Sequence, residues 1–249
     1  MNSRPSTGAA SGSVAIVTGA AKRLGRQIAL RLAEELGLNI VVHCRSSTTA
    51  AENVAKEIRE FGVKSCVVSA DLSDSETAAK SILEAAATIG SAQVLINNAA
   101  IFENATLSEV DRAQFDRHFT INAIAPVMLC QQLVSQLGDR RAHVVNILDW
   151  RATRPPADYL AYTASKAALA AVTKTLALQL APDVQVNAIA PGAMIPPPDQ
   201  PDWHNERANE AIPLRKTGTP GDICDAVCYL LRSTFVTGEI LHVCGGENL

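Results

Sequence analysis

Aromatic side chains are scarce: 4% of 249 residues, made up of two tryptophans, three tyrosines and five phenylalanines. The core must therefore be aliphatic, and an aromatic that falls beside polar motifs is worth following. Long apolar runs are missing too, none reaching the roughly 18 residues of a membrane helix. The opening MNSRPSTGAASG lacks the apolar middle of a secretory signal, so residues 1–12 read as a flexible polar tail. Neither charge dominates, with 22 basic against 25 acidic residues and a net charge of −3. No block of like charge marks a nucleic-acid or membrane partner. Six cysteines, at 44, 66, 130, 224, 228 and 244, include no C-x-x-C pair, and no histidine completes a zinc spacing. Cys224 and Cys228 stand one helical turn apart and read as buried small apolar residues rather than a metal or redox pair. The expectation is a cytoplasmic, reduced protein without a metal.

What the chain does contain is rhythm. Hydrophobic residues make up 47%, and the length suits one large domain. Short runs rich in Val, Ile and Leu (VAIVT at 14–18, NIVVH at 39–43, KSCVVS at 64–69, QVLIN at 93–97, HVVNIL at 143–148, VQVNAIA at 184–190, EILHV at 239–243) alternate with amphipathic stretches such as RLGRQIALRLAEEL. Runs that are apolar throughout need cover on both faces, whereas the longer stretches repeat every three to four residues. The reading is an α/β fold: a doubly wound, Rossmann-like parallel sheet of about seven strands in a single domain, residues 13–249. The rhythm breaks after Pro191, where a proline-rich segment at about 192–213 follows the sixth strand. Irregular segments at the carboxyl edge of such sheets form binding loops, and this one reads as a substrate loop.

The first strand runs into TGAAKRLGRQIA. Gly19 and Gly25 bracket a strand-to-helix turn whose free amides suit a pyrophosphate. Arg23 occupies the middle glycine position, so taken alone the match is weak. The second strand ends in HCRSS, without the acid that meets a free ribose hydroxyl. Arg45 offers a planar fork for phosphate oxygens and Ser46 a further donor, while Lys22 and Arg23 add positive charge. The dinucleotide read from these residues is NADPH/NADP+.

Farther on, YTASK sets Tyr162 and Lys166 one helical turn apart on one face. A nearby ammonium is expected to lower the phenol's pKa of about 10 towards neutrality. Asp149 stands thirteen residues before that tyrosine.

With TGAAKRLG, Asp71 in ADL, NNAA at 97–100, NAIAP at 122–126, YTASK, NAIAPG at 187–192 and FVTGEILHVCGG in order, the chain resembles the short-chain dehydrogenase/reductase family over residues 13–249. TGAAKRLGR, CRS, NAIAP and above all Asp149 look like its pteridine reductase branch. The resemblance implies that Arg23, Arg45 and Ser46 bind cofactor phosphate and that Asp71 meets the adenine. It places Asn98 along the ribose, Lys166 on the nicotinamide ribose, and further cofactor contacts at Leu24, Leu72, Ala99, Tyr162, Pro191 and Gly192. Asn122 would hold a water linked to Lys166, and Tyr162 with Asp149 would form the proton-donating pair. Phe102 matches an aromatic wall that sandwiches the substrate ring against nicotinamide, with Arg23 and Tyr159 lining the same pocket and Trp150 and Trp203 as possible borders. A homotetramer is implied, contacting through helices around 107–137 and 158–181.

Asp149 also has a chemical reading. Reducing a carbonyl builds negative charge on oxygen, which a hydroxyl donor stabilises and a carboxylate repels. Reducing a ring C=N builds positive character at nitrogen, and a pterin's amino and ring N–H groups seek acceptors. The expected activity is therefore NADPH-dependent reduction of a pterin or dihydropterin, with dihydrofolate as a further candidate substrate. A short-chain carbonyl reductase acting on aldehydes and ketones, or an idle NADPH-binding protein, are the alternatives. Ala100 and Met194 stand where relatives often carry hydroxyl residues, which bears on the choice of substrate.

Overall fold

The computed structural model describes residues 12–195 and 212–249. Every apolar run becomes a strand: β1 Val14–Val17, β2 Asn39–Cys44, β3 Ser65–Ser69, β4 Ala92–Asn97, β5 Ala142–Ile147, β6 Val184–Pro191 and β7 Ile240–Val243. All six pairings are parallel, in the order β3-β2-β1-β4-β5-β6-β7. Parallel neighbours need crossovers, and these are the helices α1 Arg23–Leu36, α2 Thr48–Glu60, α3 Ser75–Ala87, α4 Arg112–Phe119, α5 Ala125–Ser135, α6 Leu160–Leu180 and α7 Pro220–Arg232. A π turn, Thr120–Ile124, joins α4 to α5.

The sheet divides the core in two. Ile28, Leu32, Val54, Ile58, Val227 and Leu231 bring α1, α2 and α7 against one face. Ile82, Leu83, Leu129, Leu133 and Ala177 bring α3, α5 and α6 against the other. Covered on both sides, β1 and β2 are buried along their whole length, which is why their sequences carry no polar alternation. Deep polar groups pair with one another: Asn97 Nδ2 donates to Asn146 Oδ1 at 2.8 Å, and Asn146 Nδ2 to Thr173 Oγ1 at 2.9 Å. This ladder ties β4, β5 and α6 together directly beneath the catalytic motifs.

Strand order reverses between β1 and β4, and doubly wound sheets open a ligand crevice at the carboxyl ends beside that reversal. Residues 18–25, 98–102, 148–152 and 191–195 all emerge there. Cys224 and Cys228 are buried along α7, and burial pushes both thiols up, as expected of packing residues. Among the described residues no helix is long and apolar enough to cross a membrane, and no group of three His, Cys, Asp or Glu could hold a metal ion. Trp203 and most of the proline-rich segment, like residues 1–11, lie outside the described residues.

Candidate active site

The glycine turn is built by constraint. Gly19 has φ +64 and packs against Ala99, while a Cβ on Gly25 would run into the Gly19 carbonyl and lie 2.5 Å from Asn98 Nδ2. Arg23 adopts φ 51, a left-handed conformation that glycine takes without penalty and arginine at a cost of about 1–3 kcal/mol. The strained backbone throws its side chain across the crevice, where Nη2 donates to the Ile195 carbonyl at 3.4 Å. Asn98 braces the turn from β4: Nδ2 donates to the Thr18 carbonyl at 2.9 Å, and its own N–H to Thr18 Oγ1 at 2.9 Å.

Below the turn lies His43, which no sequence motif singles out. The Gly19 N–H can only donate, so Nδ1 accepts it at 3.1 Å and Nε2–H donates to the Ala70 carbonyl at 3.0 Å. Burial holds the ring below the usual histidine range, in the neutral form those two bonds require.

A cavity of about 450 Å³ sits over this floor, and Gly19, Arg23, Leu24, Gly25, Arg45, Asp71, Leu72, Asn98 and Ala99 all line it. Lys22 and Ser46 are exposed but lie outside its lining. Asp71 Oδ1 accepts the Ser73 N–H at 2.9 Å, which, ahead of Arg45 and His43, holds its carboxyl below the usual range. The cavity fits a dinucleotide phosphate on its own terms: glycines where a Cβ would fill the cradle, a helix N-terminus, and the Arg23 and Arg45 guanidiniums at its rim.

A second cavity of about 830 Å³ continues from it, sharing Arg23, Leu24, Asn98 and Ala100. Asp149, Tyr159, Tyr162, Lys166, Phe102, Trp150, Pro191, Gly192 and Met194 line it, so the structure brings the expected catalytic and substrate residues, Asn122 excepted, into one crevice. The Tyr162 hydroxyl donates to Asp149 Oδ2 at 3.0 Å. Asp149 also receives Arg151: its backbone N–H at 2.9 Å from Oδ1, and Nη1 at 3.2 and 3.3 Å from Oδ1 and Oδ2.

One expectation needs correction. Lys166 does not draw the phenol down. Its ammonium donates to the Ile147 carbonyl at 2.7 Å and lies 6.0 Å from the centre of the Tyr162 ring. Burial and Asp149 push Tyr162 well above the tyrosine range, and the cation that opposes them is Arg151. Lys166 itself is pulled down to about 8 by burial, against the pull of Asp149. The Asn122 side chain lies outside the lining of this crevice. It is fully buried, bonded to both the N–H and the carbonyl of Ile101 and to Ser165 Oγ. It therefore pins the start of the Phe102 segment to α6. Phe102, finally, is half exposed and stacks on Tyr159, with centroids 4.3 Å apart and planes at 12°, and meets Tyr162 edge-on at 4.6 Å. A 4.3 Å spacing admits no third ring, so any substrate ring lies outside that pair rather than between its members.

Two residues that the sequence did not flag support this crevice. His118 is buried on α4, accepting the Glu103 N–H at 3.4 Å just after Phe102. Glu247 reaches back from the C-terminus, and its Oε2 accepts the Ala193 N–H at 2.7 Å.

A nucleotide-type cradle opening into a Tyr–Lys–Asp crevice at the carboxyl edge of a seven-stranded parallel sheet defines a nicotinamide-dependent oxidoreductase. Comparison with known proteins agrees. Residues 19–248 match the family described as Enoyl-(Acyl carrier protein) reductase. The chain is 33% identical to 3-oxoacyl-[acyl-carrier-protein] reductase FabG of Staphylococcus epidermidis, over 93% of this chain and 97% of that one. Among solved structures it superposes on FolM alternative dihydrofolate reductase 1 of Brucella canis complexed with NADP, at TM-score 0.89 and 33% identity, over 96% of this chain and 94% of that one. The Brucella suis counterpart, also with NADP, gives TM-score 0.90 at 33% identity, over 96% of each chain. The protein belongs to the short-chain dehydrogenase/reductase family and is an NADP-dependent reductase of that family.

Proposed function

We propose that the protein reduces the ring C=N of a pterin or dihydropterin, dihydrofolate included, with NADPH. The observation that carries the reading is the contact of 3.0 Å between Asp149 Oδ2 and the Tyr162 hydroxyl. A carbonyl reductase calls for a neutral donor beside its tyrosine, because charge develops on oxygen. A carboxylate there repels an oxyanion but tolerates protonation of a ring nitrogen. The likeness to the two FolM structures supports the same reading.

In this reading Gly19, Gly25 and the head of α1 receive the pyrophosphate, Arg23 and Arg45 the extra phosphate, and Asp71 the adenine. Tyr162 and Lys166 hold the nicotinamide ribose. The bound nicotinamide supplies the hydride. Tyr162 gives its proton to the ring nitrogen next to the carbon that is reduced, and Asp149 orients the hydroxyl. Phe102 and Tyr159, stacked as one slab, offer a flat apolar edge to the substrate ring. Beyond this, the family resemblance points to a homotetramer formed through α4, α5 and α6, in a cytoplasmic enzyme.

A second reading has its own support. The Asp149–Arg151 ion pair offsets part of the carboxylate charge, and the likeness to FabG fits keto reduction. Loss of NADPH absorbance with biopterin, dihydropterins and dihydrofolate, set against a series of aldehydes and ketones, separates the two. The pterin reading expects kcat/KM for the best pterin to exceed that for any simple carbonyl by at least about 100-fold, roughly 2.7 kcal/mol of transition-state preference. The reverse order would reject it.

A further inference from the structure

Asp149 has no acceptor capacity left for a substrate. A carboxylate offers about four lone-pair sites. Four contacts fill them: the Arg151 N–H, Arg151 Nη1 on each oxygen, and the Tyr162 hydroxyl. The acid therefore acts through Tyr162 rather than on substrate. This leaves an electrostatic problem. Once the phenol has given up its proton, a phenolate on a buried tyrosine stands 3.0 Å from a carboxylate. Lys166 is turned to the Ile147 carbonyl, so the cation closest to that pair is Arg151.

Arg151 is held for this task. Its guanidinium carbon lies 4.9 Å from the Trp150 ring centre, 5.4 Å from that of Tyr159 and 5.8 Å from that of Phe102. Its side chain is only 20% exposed, and Nε is buried without a hydrogen-bond partner. An arginine serving solubility would extend into water; this one gives up a hydrogen bond to stay among three rings and a carboxylate.

We propose that Arg151 is a positioning residue for the hydride-transfer reaction, holding the Asp149 carboxylate against Tyr162 and supplying the counter-charge that lets the phenol part with its proton. The proposal rests on Tyr162 being the proton donor and not on the pterin as substrate.

The charged and titratable groups facing this cluster are Asp149, then Tyr162 and Lys166 from α6, Asp158 and Tyr159 ahead of it, and Arg23 from the glycine turn. His118 of α4 stands behind Tyr162, with ring centres 6.4 Å apart. Removing a cation from among them stabilises the protonated form of every one. Both limbs of the kcat/KM–pH profile then move to higher pH.

The experiment compares R151Q, which keeps a donor but loses the charge, with R151K, which keeps the charge but loses the fork. NADPH binding, followed by its fluorescence, reports an intact fold and cofactor site. R151Q should bind NADPH within about threefold of wild type, lose about 100-fold in kcat, within the range for positioned proton transfer, and shift both limbs upward by about one pH unit. R151K should keep both limbs in place and lose less than about tenfold. A uniform loss in R151Q with unmoved limbs would assign Arg151 a merely structural part and overturn the proposal. So would R151K limbs displaced upward by about one pH unit, a result that still counts if R151Q fails to fold. Profiles are recorded with whichever substrate the wild type turns over fastest. Failure of the pterin reading would then appear in the wild-type substrate series, whereas failure of this proposal would appear in the limbs.

Discussion

Replacing Asp149 by serine removes the anion and leaves the backbone turn standing, because a serine hydroxyl can still accept the Arg151 N–H that caps Trp150–Ala152. Two losses follow. Arg151 Nη1, 3.2 Å from the carboxylate, keeps its charge without a partner. Orphaning one member of a fully buried pair costs about 3–5 kcal/mol. Here the two side chains retain 20% and 16% exposure, so water recovers part of it and about 2–3 kcal/mol is expected. For a chain of this size that lowers Tm by about 5–10 °C. The second loss is catalytic, since Tyr162 no longer has the acceptor that orients its hydroxyl at 3.0 Å. Positioned proton transfer is worth at least about 100-fold, so pterin turnover should fall by about 100- to 1,000-fold, or 2.7–4 kcal/mol. Asp149 does not line the cavity assigned to the phosphates and adenine, so NADPH affinity should stay within about threefold. Steady-state kinetics, a fluorescence titration with NADPH and a thermal melt on the same preparation read all three. Undiminished pterin turnover in a variant that melts lower would refute the catalytic part and leave Asp149 as a structural acid.

Gly25→Ala places a methyl against the Gly19 carbonyl and Asn98 Nδ2, and should abolish measurable NADPH binding in a fluorescence titration while the protein still folds. Phe102→Ala removes the half-exposed partner of the Tyr159 stack; a contact worth about 0.5–1.5 kcal/mol should appear as a rise of about 2- to 13-fold in substrate KM, with kcat changed less. His43 is held below its ordinary value of 6.5, so between the folded and unfolded values the unfolded chain binds the extra proton. Its contribution to stability is complete above pH 6.5 and is lost as pH falls below that point towards the folded value. Melting curves without cofactor should show this decline, and His43→Gln should flatten it.

How much the sequence revealed follows from the range of each interaction. All seven strands were legible as short aliphatic runs, the inner ones because a strand covered on both faces must be apolar throughout, and Tyr162 and Lys166 because a helix repeats every turn. Asp149 could be paired with Tyr162 through chemistry and family likeness, although a separation of thirteen residues carries no geometric rule of its own. Arg151 could not be read: in DWR it looks like any solvated base, and only the fold wraps Trp150, Tyr159 and Phe102 around it. The same holds for His43 beneath Gly19 and for Glu247, whose partner Ala193 lies 54 residues away along the chain. The effect of Lys166 is not legible, because spacing places it on the correct face but does not show that the Ile147 carbonyl claims its ammonium. Left-handed backbone at Arg23 and Tyr159 was likewise hidden, since neither residue type favours it.

The central claim concerns which bond receives the hydride, and one measurement addresses it without intermediaries. A pterin carrying both a ring C=N and a side-chain ketone is incubated with the enzyme and NADPH deuterated at the transferable position, and the product is read by nuclear magnetic resonance. The account predicts deuterium on the ring carbon beside a newly protonated nitrogen, with the ketone intact. Deuterium on a side-chain carbinol carbon, with the ring still oxidised, would contradict it.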